Sequence, residues 1–261
     1  MRHFANPSGV LSVSRRIDAN MKTAAWMGAL CSLALAVASP GWSRAADNEG
    51  VALAIIYDTS GSMRQNVRGA DGKPQPKYVI ANRALEDIAR QLEDFAKNGA
   101  GGAPRKIEAG LYIFNQSGQG AREVVKFGPL DAPALRSWAS NFSHPEGSTP
   151  LGNALKTASR VVLNSSLPHK HILVITDGEN TVGPDPASVL PRLQRDAQQR
   201  QTSLSVHFVA FDVDAKVFDH VKKLGATVVG AADEKQLDSQ LQFILQRKIL
   251  LEEEEPPKPA K

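Results

Sequence analysis

The stretch "VALAIIYDTSGSM", residues 51–63, joins an unbroken apolar run to a carboxylate and a pair of serines. Seven apolar residues without alternation suit a strand buried on both faces, as in the middle of a parallel sheet. A second run, "HILVIT" (171–176), has the same character and also ends on a carboxylate, Asp177. Polar residues directly after a buried strand have three readings: a turn, a nucleophile, or oxygen ligands for a hard metal ion. The surrounding chain decides between them.

Around these two runs lie further candidate strands at 107–114 ("IEAGLYIF"), 122–127 ("REVVKF") and 203–211 ("SLSVHFVAF"), with a short last edge strand at 226–230 ("ATVVG"). Helical patterns separate them. Leu85, Ile88, Leu92 and Phe95 recur at intervals of three and four within 79–96, and Leu151, Ala154, Leu155, Ala158 and Val162 make a similar stripe over 151–163. Further helices are expected near 132–140, 187–200, 215–224 and 234–250. Strands alternating with helices predict an α/β fold: a doubly wound, mostly parallel, Rossmann-like sheet with helices on both faces. The connection between 107–114 and 122–127 is too brief for a crossover helix, so that pair is expected to be antiparallel, at the sheet edge. Gly- and Pro-rich segments at 66–76 and 98–104 read as mobile surface loops.

The ends of the chain differ from this pattern. Met21-Lys22 precedes "TAAWMGALCSLALAVA", an uncharged run of 16 residues from Thr23 to Ala38, short of the roughly 20 apolar residues of a membrane span. A basic start, an apolar middle and a small-residue exit read as a signal peptide over 1–45, with Ala38 and Ala45 as candidate cleavage points. The expected product is secreted or periplasmic, with no stable membrane insertion. The folded domain is expected over 46–250 and a disordered acidic, Pro-rich tail over 251–261.

The chain carries 31 Lys and Arg against 27 Asp and Glu, a formal charge of +4. Arg2, Arg15, Arg16, Lys22 and Arg44, set against Asp18, account for the whole excess. The mature chain is therefore neutral, which argues against a nucleic-acid partner. Cys31 is the one cysteine and lies in the leader, so disulfides, thiolate metal sites and thiol chemistry are excluded for the mature chain.

Ligands of open α/β sheets bind at the carboxyl ends of the strands, near the point where strand order reverses. Asp58, Ser60 and Ser62 follow one strand, Asp177 follows another, and Thr149 in "GSTPLGNAL" opens the helix before the second. Singly, each has a simpler role. Thr149 before Pro150 fits a helix N-cap, Asp177-Gly178 a turn, and the serines caps of the turn after the strand. Asp212 and Asp214 fit a strand terminus and the cap of the next helix. His169 and His171 read as a solvated start of their strand.

Taken together and in order, "DTSGS", "GSTPLGNAL" and "ITDG" resemble the von Willebrand factor type A family, over about 48–250. The five positions of that family's metal-ion-dependent adhesion site are matched by Asp58, Ser60, Ser62, Thr149 and Asp177. The resemblance implies a bound Mg²⁺, with Mn²⁺ or Ca²⁺ as alternatives. Ser60 and Ser62 would be direct ligands, Thr149 would join them in one conformation, and Asp58 and Asp177 would act through coordinated waters. Hydroxyl and carboxylate oxygens suit such hard cations. An ion with few direct negative ligands stays electrophilic and accepts a Glu or Asp carboxylate from a protein partner. The expected function is thus a non-enzymatic, exported adhesion or complex-assembly module, with His144 and Glu146 shaping partner choice. The alternative is a metal-assisted hydrolase or phosphatase at the same site. For that chemistry, Ser60 stands where a second acid/base carboxylate is wanted, and the serines lack a G-x-S-x-G elbow.

Overall fold

The computed structural model describes residues 50–99, 104–114 and 120–251. The expected signal peptide lies outside them, as do the tail beyond Leu251 and most of the 98–104 loop. Strand β1 (Gly50–Tyr57) is buried along its whole length. It is hydrogen-bonded in parallel on one side to β4 (Lys106–Phe114) and on the other to β6 (His169–Thr176). The sheet continues through β7 (Ser205–Phe211) to β8 (Thr227–Ala231), both parallel. Its other edge is β5 (Ala121–Pro129), antiparallel to β4 as expected from the short connection. The order is β5-β4-β1-β6-β7-β8. Connections therefore leave β1 in opposite directions, and the reversal of strand order falls at the carboxyl end of β1.

Alternation along β1 divides the core in two. Val51, Leu53, Ile55 and Tyr57 face one apolar cluster, built with α1 (Lys77–Asn98), α2 (Ala132–Asn141) and α6 (Glu234–Phe243). Ala52, Ala54 and Ile56 face the other, with α3 (Leu151–Asn164) and α4 (Pro186–Gln199). Alanines on this face meet Ala154 and Ala158 of α3, so α3 approaches the central strand closely. The short α5 (Asp219–Lys223) completes the layer through Val221. Aspartates cap three helices: Asp131 accepts from the Ala134 N–H, Asp185 from Ala187 and Asp233 from Gln236.

Several expectations are corrected. Residues 66–76 are not a featureless loop but a hairpin, β2 (Asn66–Arg68) against β3 (Pro74–Pro76). Glu234, 6 % exposed, holds it in place: its carboxylate accepts the Ala70 N–H at 2.5 Å and the Arg83 Nε–H at 2.8 Å. The helix expected over 215–224 is a 3-10 turn, Ala215–Phe218, followed by α5. The one over 234–250 changes from α to π winding at Ile244. His171 is not solvated. It is fully buried because β6 runs between β1 and β7, and its ring stacks on His207, with Nδ1 3.2 Å from His207 Nε2.

Two outcomes follow from this packing. An added Cβ at Gly152 would stand 2.0 Å from the Pro184 carbonyl oxygen. Helix propensity favours alanine over glycine by at most about 1 kcal/mol, whereas a clash with backbone costs about 3 kcal/mol. Gly152→Ala should therefore destabilise the domain by about 2 kcal/mol net in urea denaturation. Burial, followed by the Lys248 charge, lowers the His207 pKa to about 4, and burial holds His171 well below the ordinary imidazole range. Both stay neutral when folded and take up protons when unfolded below about pH 6.5. Stability is thus full above that pH and falls on acidification toward pH 4. Denaturation of wild type and His207→Gln at pH 7.5 and 5 isolates the imidazole from carboxylates titrating in the same range. Wild type should lose about 2 kcal/mol relative to the variant.

Candidate metal centre

The site grows out of the end of β1. Tyr57 is anchored by its hydroxyl, which donates to Asn82 Oδ1 at 2.7 Å, and by edge-on packing against Trp138 and Phe142. The next N–H, that of Asp58, donates to the Ile175 carbonyl at 3.0 Å, so pairing with β6 extends past the strand. The Asp58 carboxylate then turns the chain: Oδ1 accepts the Ser60 N–H at 2.7 Å, closing an Asx turn. Its Oδ2 accepts the Thr176 hydroxyl at 2.6 Å. A 3-10 turn, Gly61–Arg64, carries Ser62 back toward the sheet and drops Met63 into the core. Ser60 Oγ lies 3.0 Å from Ser62 Oγ, and the Ser62 hydroxyl donates to Asp177 Oδ1 at 2.8 Å. Two strand ends are thus connected by a continuous chain of hydroxyls and carboxylates.

Backbone bonds bring the Thr149 loop to the same edge. The Glu146 N–H donates to the Thr59 carbonyl at 2.7 Å, and the Gly61 N–H to the Gly147 carbonyl at 3.2 Å. On its far side the Thr149 N–H donates to Thr181 Oγ1 at 2.8 Å, while the Thr181 N–H returns a bond to the Thr149 carbonyl at 3.0 Å. Pro150, not Thr149, stands at the N-cap of α3, and it is Asn180 Oδ1, from the loop after β6, that accepts the first-turn Gly152 N–H at 3.3 Å. The simpler role of Thr149 as a cap is therefore absent, although Thr149 is only 4 % exposed. Direct side-chain contacts unite Ser60, Ser62 and Asp177, and the Asp58 carboxylate joins them through the Ser60 N–H. Thr149 is placed beside them by its backbone. His144 and Glu146 are exposed on the same loop.

The electrostatics single out Asp58. It is fully buried, and no basic side chain among the described residues forms an ion pair with it. Burial pushes its pKa up to about 6, aided by the negative charge of Asp177, against the hydrogen bonds from Ser60 and Thr176. Burial, with Asp58 and Asp177 adding to it, also raises the Tyr57 phenol well above its ordinary value, so it stays neutral. Two buried carboxylates and an array of neutral hydroxyls form an all-oxygen donor set with surplus negative charge. That chemistry fits a hard divalent cation. Among the described residues no three His, Cys, Asp or Glu side chains gather into a metal-holding group, so the hydroxyls are essential to such a site.

Two residues of the site were not foreseen. Lys77, 2 % exposed, places Nζ 3.0 Å from Asp177 Oδ2, 3.0 Å from Asp212 Oδ2 and 3.2 Å from Gln65 Oε1. Burial opposes its charge, but Asp212 and Asp177 outweigh it and hold its pKa above the ordinary lysine value. Asp212 does not cap a helix. It adopts φ +53° just past β7 and pairs with Lys77, leaving Asp214 to cap the following turn. The sequence did carry a signal for Lys77: it continues the buried stripe of Ala81, Ala84 and Ile88, where an apolar residue is expected.

Comparisons with known proteins agree with this architecture. An uncharacterized protein of Bacillus subtilis (strain 168), YwmD, is 24 % identical over 225 residues, which cover 82 % of this chain and 90 % of that one. Among solved structures, the vWF domain of the type V pili tip protein Mfa5 from Porphyromonas gingivalis superposes with a TM-score of 0.56 at 12 % identity. That match covers 76 % of this chain and 95 % of the other. The PilB minor pilin of Streptococcus sanguinis matches with a TM-score of 0.54 at 16 % identity, over 75 % of this chain and 61 % of the pilin. Proximal thread matrix protein 1 of the mussel byssus, whose structure has a zinc-occupied MIDAS motif, gives 0.53 at 14 % identity, over 76 % and 48 %. The chain thus spans less than two thirds of the pilin and about half of the byssus protein. The profile of the von Willebrand factor type A domain matches residues 52–242, most of the described fold, and the chain belongs to that family.

Proposed function

We propose that Asp58, Ser60, Ser62, Thr149 and Asp177 form a metal-ion-dependent adhesion site through which an exported domain docks a protein partner. The observation that carries this reading is the Asp58 carboxylate, fully buried without a cationic partner among the described residues and linked by hydroxyls to a second carboxylate. Ser60, Ser62 and Thr149 would hold Mg²⁺, Mn²⁺ or Ca²⁺ through their hydroxyls, with Asp58 and Asp177 bonding its waters. Bound there, the cation supplies a Lewis-acidic position open to a carboxylate oxygen of the partner. The chain's own groups do the rest. The Ser60 N–H and the Thr176 hydroxyl fix the orientation of Asp58, so its charge is in place before any ion arrives. The Glu146–Thr59 and Gly61–Gly147 bonds hold the Thr149 loop against the serines. His144 and Glu146, exposed on that loop, would shape the choice among partners.

A pilus tip protein, a minor pilin and a byssus matrix protein share this fold, which supports a role in adhesion or assembly rather than catalysis. Hydrolysis finds no such support: Ser60 stands where a second acid/base carboxylate is wanted, and the serines lack a G-x-S-x-G elbow. Among the described residues no helix is long and apolar enough to cross a membrane. Export rests on the reading of residues 1–45.

Calorimetric titration tests the proposal. Mn²⁺ or Mg²⁺ should bind wild type at one site per chain and raise its stability by about 2.7 kcal/mol at a hundredfold excess over Kd. Asp58→Ala and Ser60→Ala should fold yet lose both effects. A pull-down from envelope or extracellular extract should recover a partner with Mg²⁺ and release it with chelator. Absence of ion uptake by the folded wild type would overturn the reading.

A further inference from the structure

Lys77 is the feature that the proposed site does not explain. A buried ion pair contributes little to stability compared with apolar packing at the same position, and Lys77 occupies a place on the buried stripe of α1 where an apolar residue would serve. Its ammonium is nevertheless fully engaged. Its acceptors come from three separate segments: Gln65 after the serine turn, Asp177 after β6 and Asp212 after β7. On the Asp177 carboxylate the two oxygens are divided, Oδ2 to Lys77 and Oδ1 to the Ser62 hydroxyl. Asp212 opposes this cation, but its side chain is 39 % exposed, so water screens its charge and the compensation is partial.

We infer that Lys77 is a resident counter-cation of the metal site, a positioning residue that offsets the charge of Asp177 and makes ion retention depend on an acidic guest. The inference rests on the metal reading above and deepens it. Asp58 and Asp177 by themselves would balance a divalent ion and leave no charge for a guest to satisfy. With Lys77 on Asp177, the same ion leaves a net positive charge of at most about one unit, reduced by whatever part of the ammonium Asp212 offsets, and one partner carboxylate neutralises it. Lys77 therefore lowers the affinity for the ion alone and raises the preference for an acidic partner. Asp212 moderates that effect by drawing part of the ammonium's charge away from Asp177.

The test is titration of Mn²⁺ alone into the full chain and its variants, with folding followed by circular dichroism. Lys77→Met should bind Mn²⁺ at least tenfold more tightly than wild type, and Lys77→Arg, which keeps the charge, should stay within about threefold of wild type. Asp212→Asn should weaken binding severalfold, because the ammonium then acts on Asp177 undivided. A merely structural lysine predicts the opposite sign, with affinity falling in Lys77→Met. Equal or weaker binding by folded Lys77→Met overturns the inference and leaves the metal reading standing. If Lys77→Met does not fold, Asp212→Asn decides, and unchanged or tighter binding overturns the inference. No uptake by wild type or any folded variant overturns the metal reading and the inference with it.

Discussion

Asp58 and Asp177 stand at the ends of adjacent parallel strands, and keeping two carboxylates out of water constrains everything built around them. Desolvation of an ionised carboxylate is costly unless hydrogen bonds or a counter-charge offset it. The fold answers with three kinds of group. A backbone N–H and a hydroxyl hold Asp58, serine hydroxyls connect the two acids, and the Lys77 ammonium closes on Asp177. Asp58 receives no counter-charge from the described residues, and burial, with the charge of Asp177 adding to it, pushes its pKa up to about 6. The proposed divalent cation would offset that imbalance.

The scaffold serves this arrangement through close packing. Small residues on one face of β1 let α3 lie near the sheet. Gly152 then admits the Pro184 carbonyl against the first turn of that helix. Reciprocal bonds between Thr149 and Thr181 join the loop before α3 to the loop after β6. The oxygens thus come from segments far apart in the chain, yet each is positioned by a strand end or by backbone pairing. The side chains of His144 and Glu146 are exposed on the rim of the site, where the Glu146 N–H ties their loop to Thr59.

Much of the fold was legible in the linear pattern because strands buried on both faces leave continuous apolar runs. The antiparallel edge pair followed from a connection too short for a crossover. The hairpin at 66–76 escaped notice for the opposite reason. Pro74 and Pro76 argue against a strand, and its stability comes from Glu234, 164 residues beyond the Ala70 N–H it accepts. His171 was misplaced because its neighbours His169 and Lys170 are polar. A central position between β1 and β7 buries the residue whatever its neighbours are, and the His207 ring supplies a partner of its own kind.

Periodicity is a local property, and it determined which segments are strands and which faces of the helices are apolar, while the ordered motifs after those strands and before α3 pointed to the five oxygen-bearing residues. The pairing of Lys77 with Asp177 and Asp212 was decided only by tertiary structure. Spacing along α1 places Lys77 on the buried stripe, but its partners depend on β7 lying beside β6 and on the rotation of α1 over the sheet. A charge contact across a hundred residues is fixed by the folded geometry, because Coulomb attraction acts through space and leaves no periodic trace in the chain.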